Sequence, residues 1–244
     1  LTEERQQFKL LRSELNLLAR DQSAHALERT LEQLRPTRAR LQERITTELR
    51  EQMPGWKVRL PALLVAWREW LGGFLSRELA EVSRSQRAMF CEPLHQARAH
   101  LTRTLRAFQD RLAAHVQSAM GVSLAPPEFV LEVREPSAPP VQVAYAFDAS
   151  FAAIAWLIPL TLFRRPVERA LRRKARYEVE KNLSRLAAAW RERVAAGIAE
   201  LNRQAEQQAR DALNALEQML AQTASREPEF KAAIDELERF RDRP

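Results

Sequence analysis

Histidine and cysteine are the side chains from which metal or nucleophilic chemistry would be sought first, and here their spacing does not assemble them. His25, His95, His100 and His115 are scattered without an i, i+4 pair, and His95 and His100, five apart, point to different faces of a helix. Cys91 stands alone, so an internal disulfide is ruled out, a reducing compartment fits, and a small core residue is its expected role. The patterns GxxxxGK(S/T), GxGxxG and GxSxG are absent, which removes the phosphate loop, the dinucleotide fingerprint and the nucleophile elbow. No catalytic, metal or cofactor residue is assigned.

The residue types that do carry information suit binding rather than catalysis. Ala149 to Phe163 is fifteen residues without a charge. A straight transmembrane helix needs about 20, and reaching that length takes in Asp148, at roughly 2.5–3.5 kcal/mol in a bilayer centre and less near its edge. Asp148 has a simpler role as N-cap of an apolar helix that Pro159 then interrupts. A re-entrant hairpin or kinked wedge is expected. Arg164, Arg165, Arg169, Arg172, Arg173, Lys174 and Arg176 follow within thirteen residues, opposed by Glu168, so that seven positive charges against one negative leave +6 of the chain's +7 in this stretch. Each Lys or Arg near an anionic lipid surface contributes about 1 kcal/mol, and apolar burial adds about 25 cal/mol per Å². Tyr145 and Trp156 are types favoured at the headgroup level.

Other readings weigh against this one. A buried core helix is commonly about 10–14 apolar residues long, and a basic run is often a solvated face. Against the core reading, residues 151–163 are apolar nearly all round, and the cations occupy too many positions to form a single face. A nucleic-acid patch fares worse: Tyr177 is the aromatic within reach of the cluster, so stacking platforms are missing and no specific nucleic-acid partner is expected.

The elements that must position this segment are long helices. Only five glycines are present, too few for the turns of a parallel-sheet enzyme, while 45% hydrophobic and 29% charged residues suit long helices with a sizeable core. Residues 2–52 read as one helix kinked at Pro36, with Leu17, Ala24, Leu27, Leu31, Leu34, Leu41 and Ile45 on one stripe. A second helical stretch covers about 57–119. Its face from Val58 to Val82 is dense enough to be deep core or a self-association surface, and Gly72-Gly73 within it is a candidate hinge or a close helix crossing. Residues 122–145 hold Pro126, Pro127, Pro136, Pro139 and Pro140 between β-prone runs, and read as an extended connector with room for a small strand pair. Pro166 is placed at N1 of a helix running to about 224, and Pro228 sets off a last short helix, about 229–241. The fold class expected is all-α: an elongated, stalk-like antiparallel bundle with a short extended connector. Its organisation is 1–121 long-helix bundle, 122–145 connector, 146–176 apolar and basic tip, and 177–244 returning helices. The start at Leu1 rather than Met predicts a piece of a longer protein or a processed product, and no signal peptide is visible.

The run Phe147-Asp148-Ala149-Ser150 to Trp156-Leu157-Ile158-Pro159, then Arg-Arg-Pro and Tyr-Glu-Val-Glu-Lys-Asn-Leu-Ser-Arg-Leu, resembles the helical region of a bacterial dynamin-like protein. In organisation the resemblance covers most of the chain; it is specific over about 147–190. It implies a neck and trunk carrying a membrane paddle, with membrane contact at Phe147, Phe151, Ile154, Trp156, Leu157, Ile158, Leu160, Leu162 and Phe163. Arg164, Arg165, Arg169, Arg172, Arg173 and Lys174 would meet anionic lipid. Self-association through helical faces and a cytoplasmic location, peripheral to or re-entrant at a membrane, are expected of the chain. The resemblance further implies that this membrane is a bacterial inner membrane, and GTP with Mg²⁺ in a GTPase domain outside this chain, since no GTPase motif occurs here. A soluble helical or coiled-coil scaffold and a single-pass membrane protein are the competing expectations.

Overall fold

The computed structural model describes residues 2–56, 59–120, 129–140 and 160–241. Its elements are α1 (Thr2–Gln33), α2 (Arg35–Gln52), a 3₁₀ turn (Met53–Gly55), α3 (Leu60–Ser85), α4 (Arg87–Met120) and α5 (Leu160–Arg241), with no strand among the described residues. The chain is an all-α helical bundle.

The breaks at Leu34 and Gln86 each have a physical cause, and two expected breaks do not occur. Pro36 has no N–H for the carbonyl one turn back, and the chain turns at Leu34 before α2 begins. A break at Gln86 divides α3 from α4, where a single stretch was expected. There the Ser85 hydroxyl donates to the Glu81 carbonyl (2.7 Å), a back-bond that bends helices, and Gln86 Nε2 donates to Thr37 Oγ1 (2.7 Å). Pro166 is not the first residue of its helix, because α5 is already running at Leu160; Pro228 likewise lies inside α5. At Pro166 the apolar row Val167, Leu171, Ala175 and Val179 is buried from the next residue onward, and that packing outweighs the helix-breaking penalty of about 3 kcal/mol.

The chain packs as two compact units that do not follow chain order: 1–20, 96–133 and 198–244 form one, 21–95 and 134–197 the other. In the first, Leu11 and Leu15 of α1, Leu101, Leu105 and Phe108 of α4, and Ile198, Leu201, Ala205 and Ala209 of α5 are buried. Polar bonds hold α1 antiparallel to α5: Asn202 Nδ2 donates to Asn16 Oδ1 (3.0 Å), while Arg12 pairs with Glu206 (3.2 Å) one turn along. Leu131 of the connector is 2% exposed in the same core. Around it Gln208 Nε2 donates to the Val130 carbonyl (2.6 Å), and the Glu132 N–H donates to Gln204 Oε1 (3.1 Å). Two residues of extended chain advance about 6.6 Å and four of helix about 6 Å, so glutamines at i, i+4 match alternate backbone groups. These bonds engage the connector's backbone, and residues 129–140 form no strand; Val141-Gln142-Val143, the other half of the expected strand pair, lies outside the described residues.

In the second unit the apolar face of α3 is its own core. Leu60, Leu63, Leu64, Trp67, Leu71, Phe74, Leu75, Leu79 and Val82 are all buried, which decides between core and self-association surface in favour of core. Leu41, Ile45 and Leu49 of α2 and the α5 row from Val167 to Val194 are buried in the same unit. Arg44–Glu78 and Thr37–Gln86 set α2 against α3, and Arg38–Glu180 with Thr46–Arg176 set α2 against α5, both antiparallel. Trp190 stacks on Phe90 (5.0 Å between centroids) and donates its indole N–H to Ser83 Oγ (2.9 Å). The buried carboxylates Glu78 and Glu178 are each held by two cations, Arg44 and Arg77 for the first and Lys174 and Lys181 for the second. Pairing of this kind is what a buried charge requires.

The α1 stripe needs one correction. Leu34, Leu41 and Ile45 are buried as expected, but Leu17 is 63% and Leu31 37% exposed, while Leu11, Leu15 and Thr30 face inward instead. Steps of three drift about 60° one way and steps of four about 40° the other, so a row spaced by threes and fours can leave the buried sector. Gly72-Gly73 does not interrupt α3, and a Cβ at Gly73 would meet nothing within 4 Å. A close helix crossing at Gly73 is thereby excluded.

Candidate functional site

The expected membrane-entering residues Phe147, Phe151, Ile154, Trp156, Leu157 and Ile158 lie outside the described residues. Leu160, Leu162 and Phe163 fall on the first turns of α5. The backbone of that helix therefore leads straight from the uncharged segment into the cationic one.

The cations that follow divide into two groups. Glu168, one helical turn from each, holds Arg164 (Nε to Oε1, 3.0 Å) and pairs with Arg172 (3.9 Å). Arg164 also donates through Nη2 to the Met53 carbonyl (3.3 Å). Lys174 reaches the buried Glu178 (3.2 Å) and lies over the Tyr177 ring at 5.1 Å. Half of the expected headgroup-binding set is thus engaged inside the protein. The i, i+4 spacing of Arg164, Glu168 and Arg172 already carried that signal.

Arg165, Arg169 and Arg173 behave differently. All three are exposed, they repeat every four residues, and none has an ion-pair partner among the described residues. At about 100° per residue, five of the seven cations (Arg165, Arg169, Arg172, Arg173 and Arg176) fall in a sector of about 100°. These five form a stripe opposite the buried row Val167, Leu171 and Ala175, while Arg164 and Lys174 fall outside it, so the seven cations together do not share a single face. An exposed row of uncompensated guanidiniums suits phosphate or carboxylate groups spread over a surface.

Comparison with known proteins returns no match: no family model, curated protein or solved structure matches the chain. The site is accordingly argued from its own geometry.

Other places offer less. A cleft of about 330 Å³ beside the α1–α2 turn is lined by Glu28, Glu32, Arg35, Arg38, Glu180 and Ser184 among others. Its arginines are already paired, Arg38 with Glu180 (2.9 Å) and Arg35 with Glu32 (3.5 Å). Cys91 is fully buried; burial first, and then the nearby Glu135 carboxylate, push its thiol up from its ordinary range, which keeps it protonated and unreactive. His95 bonds Glu135 (3.1 Å) on the surface, and His100 contacts Arg103 (3.3 Å). Among the described residues no three His, Cys, Asp or Glu side chains gather as a metal site would require, and no helix is long and apolar enough to cross a membrane.

Sequence reasoning missed the corner between α2 and α3. The Met53 carbonyl that accepts from Arg164 also accepts the Trp56 N–H (3.2 Å), which brings the 3₁₀ turn to the start of the cationic stripe. The Met-Pro-Gly-Trp motif announces a turn, but nothing in its spacing reveals which distant arginine reaches it.

Proposed function

We propose that this chain is the stalk and membrane-contacting region of a dynamin-like GTPase, seated on anionic lipid at the N-terminal end of α5. The observation that supports the lipid reading is the row Arg165, Arg169 and Arg173, exposed and without an ion-pair partner among the described residues, following the uncharged run 149–163 in sequence. At about 1 kcal/mol each, three such cations supply about 3 kcal/mol at an anionic surface. The dynamin-like reading rests on the resemblance over about 147–190. In this proposal the chain binds and transmits movement along its helices, peripheral to or re-entrant in the cytoplasmic face of a bacterial inner membrane. GTP and Mg²⁺ are handled by a domain outside it.

Co-sedimentation with vesicles tests the lipid reading. The chain is expected to pellet with phosphatidylglycerol vesicles and stay in solution with neutral phosphatidylcholine. Variants W156S/L157S/I158S and R165E/R169E/R173E, checked for helicity by circular dichroism, should remain in solution. Undiminished pelleting of both variants would sink the reading.

A coiled-coil scaffold is the second reading, and one observation favours it. Leu10 and Leu17, seven residues apart on α1, are 66% and 63% exposed. Such a heptad step suits a partner helix. Light scattering of L10E/L17E against the wild type separates the two: loss of an oligomer with vesicle binding absent in both chains favours the scaffold.

A further inference from the structure

We infer that the α2–α3 corner is a second contact point for the same anionic lipid surface, with Trp56 and Trp70 at the headgroup level beside the α5 arginines. The inference rests on the lipid reading above and extends it to residues the resemblance does not touch. Three observations carry it. First, one carbonyl oxygen, that of Met53, accepts both the Trp56 N–H (3.2 Å) and the Arg164 guanidinium (3.3 Å), so the corner and the root of the cationic stripe are fastened together. Second, the aromatic side chains there run from core to surface. Trp56 meets Trp70 edge-on at 6.0 Å, and Trp70 lies 5.7 Å from Phe74. Phe74 is 1% exposed, yet Trp56 and Trp70 are only partly covered, whereas Trp67 and Trp190 are sealed at 0% and 1%.

Third, Arg50 and Arg59 flank the corner, both exposed and without an ion-pair partner among the described residues. Glu51 is the acid between them in sequence, and Arg165 and Arg169, exposed on α5 just beyond the paired Arg164, add positive charge. Indole rings that are partly open, with an apolar body and a polar N–H, are the side chains that settle at a membrane–water boundary. Cations around them select a negatively charged boundary over a neutral one. A polyanion such as nucleic acid would use the same charges but would not draw indoles into hydrocarbon.

The test is tryptophan quenching by brominated phosphatidylcholine in phosphatidylglycerol vesicles, on the full chain. The W156F variant removes the indole of the apolar segment and keeps its ring character. It should still pellet with the vesicles and still lose fluorescence on brominated ones. Adding W56F and W70F should abolish that quenching, since Trp67 and Trp190 are buried. Separately, R50Q/R59Q should weaken vesicle affinity about 30-fold, at about 1 kcal/mol per cation. A W156F chain that pellets unquenched, or no longer pellets while the wild type does, overturns the inference alone. A wild type that ignores anionic vesicles overturns the lipid reading and the inference with it.

Discussion

Two glycines inside helices make opposite predictions. Gly73 sits on the exposed side of α3, where an added Cβ would meet nothing within 4 Å. Gly197 lies in α5, where the same Cβ would come within 3.0 Å of Leu94 Cδ1 and 3.5 Å of its Cδ2. Replacing helical glycine by alanine gains about 0.5–1 kcal/mol through the unfolded chain and the helix propensity. G73A should show that full gain. In G197A the gain is offset, because Leu94 is 1% exposed and its methyl must retreat into packed neighbours. Overpacking of this kind costs about 1–3 kcal/mol. G197A is therefore expected to fall between neutrality and a loss of about 2 kcal/mol. Urea denaturation followed by circular dichroism reads both, with the m-value checking that the unfolded state is unchanged. A G197A chain stabilised as much as G73A would refute the packing of α4 on α5 at Leu94. A destabilised G73A would refute the open surface at α3.

Three further outcomes follow from the packing. S83A leaves the buried Trp190 N–H without its acceptor and should cost about 1–3 kcal/mol in the same denaturation assay; no change would contradict the bond. L131A should loosen the connector more than Q204A/Q208A, because a buried leucine carries about 2–5 kcal/mol and two part-exposed hydrogen bonds about 1–2; limited proteolysis within 129–140 measures the order. Cys91, buried and with its thiol shifted upward, should resist iodoacetamide at neutral pH until the second unit opens, and fast alkylation of the folded chain would contradict that burial.

Helix type and location were legible in the sequence because the apolar rows of α3, α4 and α5 repeat with helical period over many turns. Leu183, Leu186, Trp190, Val194, Ile198, Leu201 and Ala205 are buried as that period requires. Punctuation was less legible. Pro36 marks a real break, but Pro166 and Pro228 lie inside α5; at Pro166 the local penalty loses to the packing of the row from Val167 onward, which local sequence cannot display. The break at Gln86 depends on a bond to Thr37, 49 residues away, and no short window contains it. Leu17 and Leu31 show the limit of a stripe drawn by spacing alone. At the candidate site, composition located the cations. It did not separate Arg164, Arg172 and Lys174, held by Glu168 and Glu178, from the uncompensated Arg165, Arg169 and Arg173. That division depends on which side of α5 is buried.

The most direct measurement compares two triple neutralisations at equal net charge. R165Q/R169Q/R173Q removes the exposed row on α5, and R40Q/R98Q/R191Q removes three exposed arginines elsewhere. Affinity for phosphatidylglycerol vesicles at 0.1 M salt should fall about 150-fold in the first, from about 3 kcal/mol, and only slightly in the second. Equal losses in the two would mean that overall charge, not this row of arginines, governs any attraction to lipid, and the account of α5 as the membrane-facing element would be wrong.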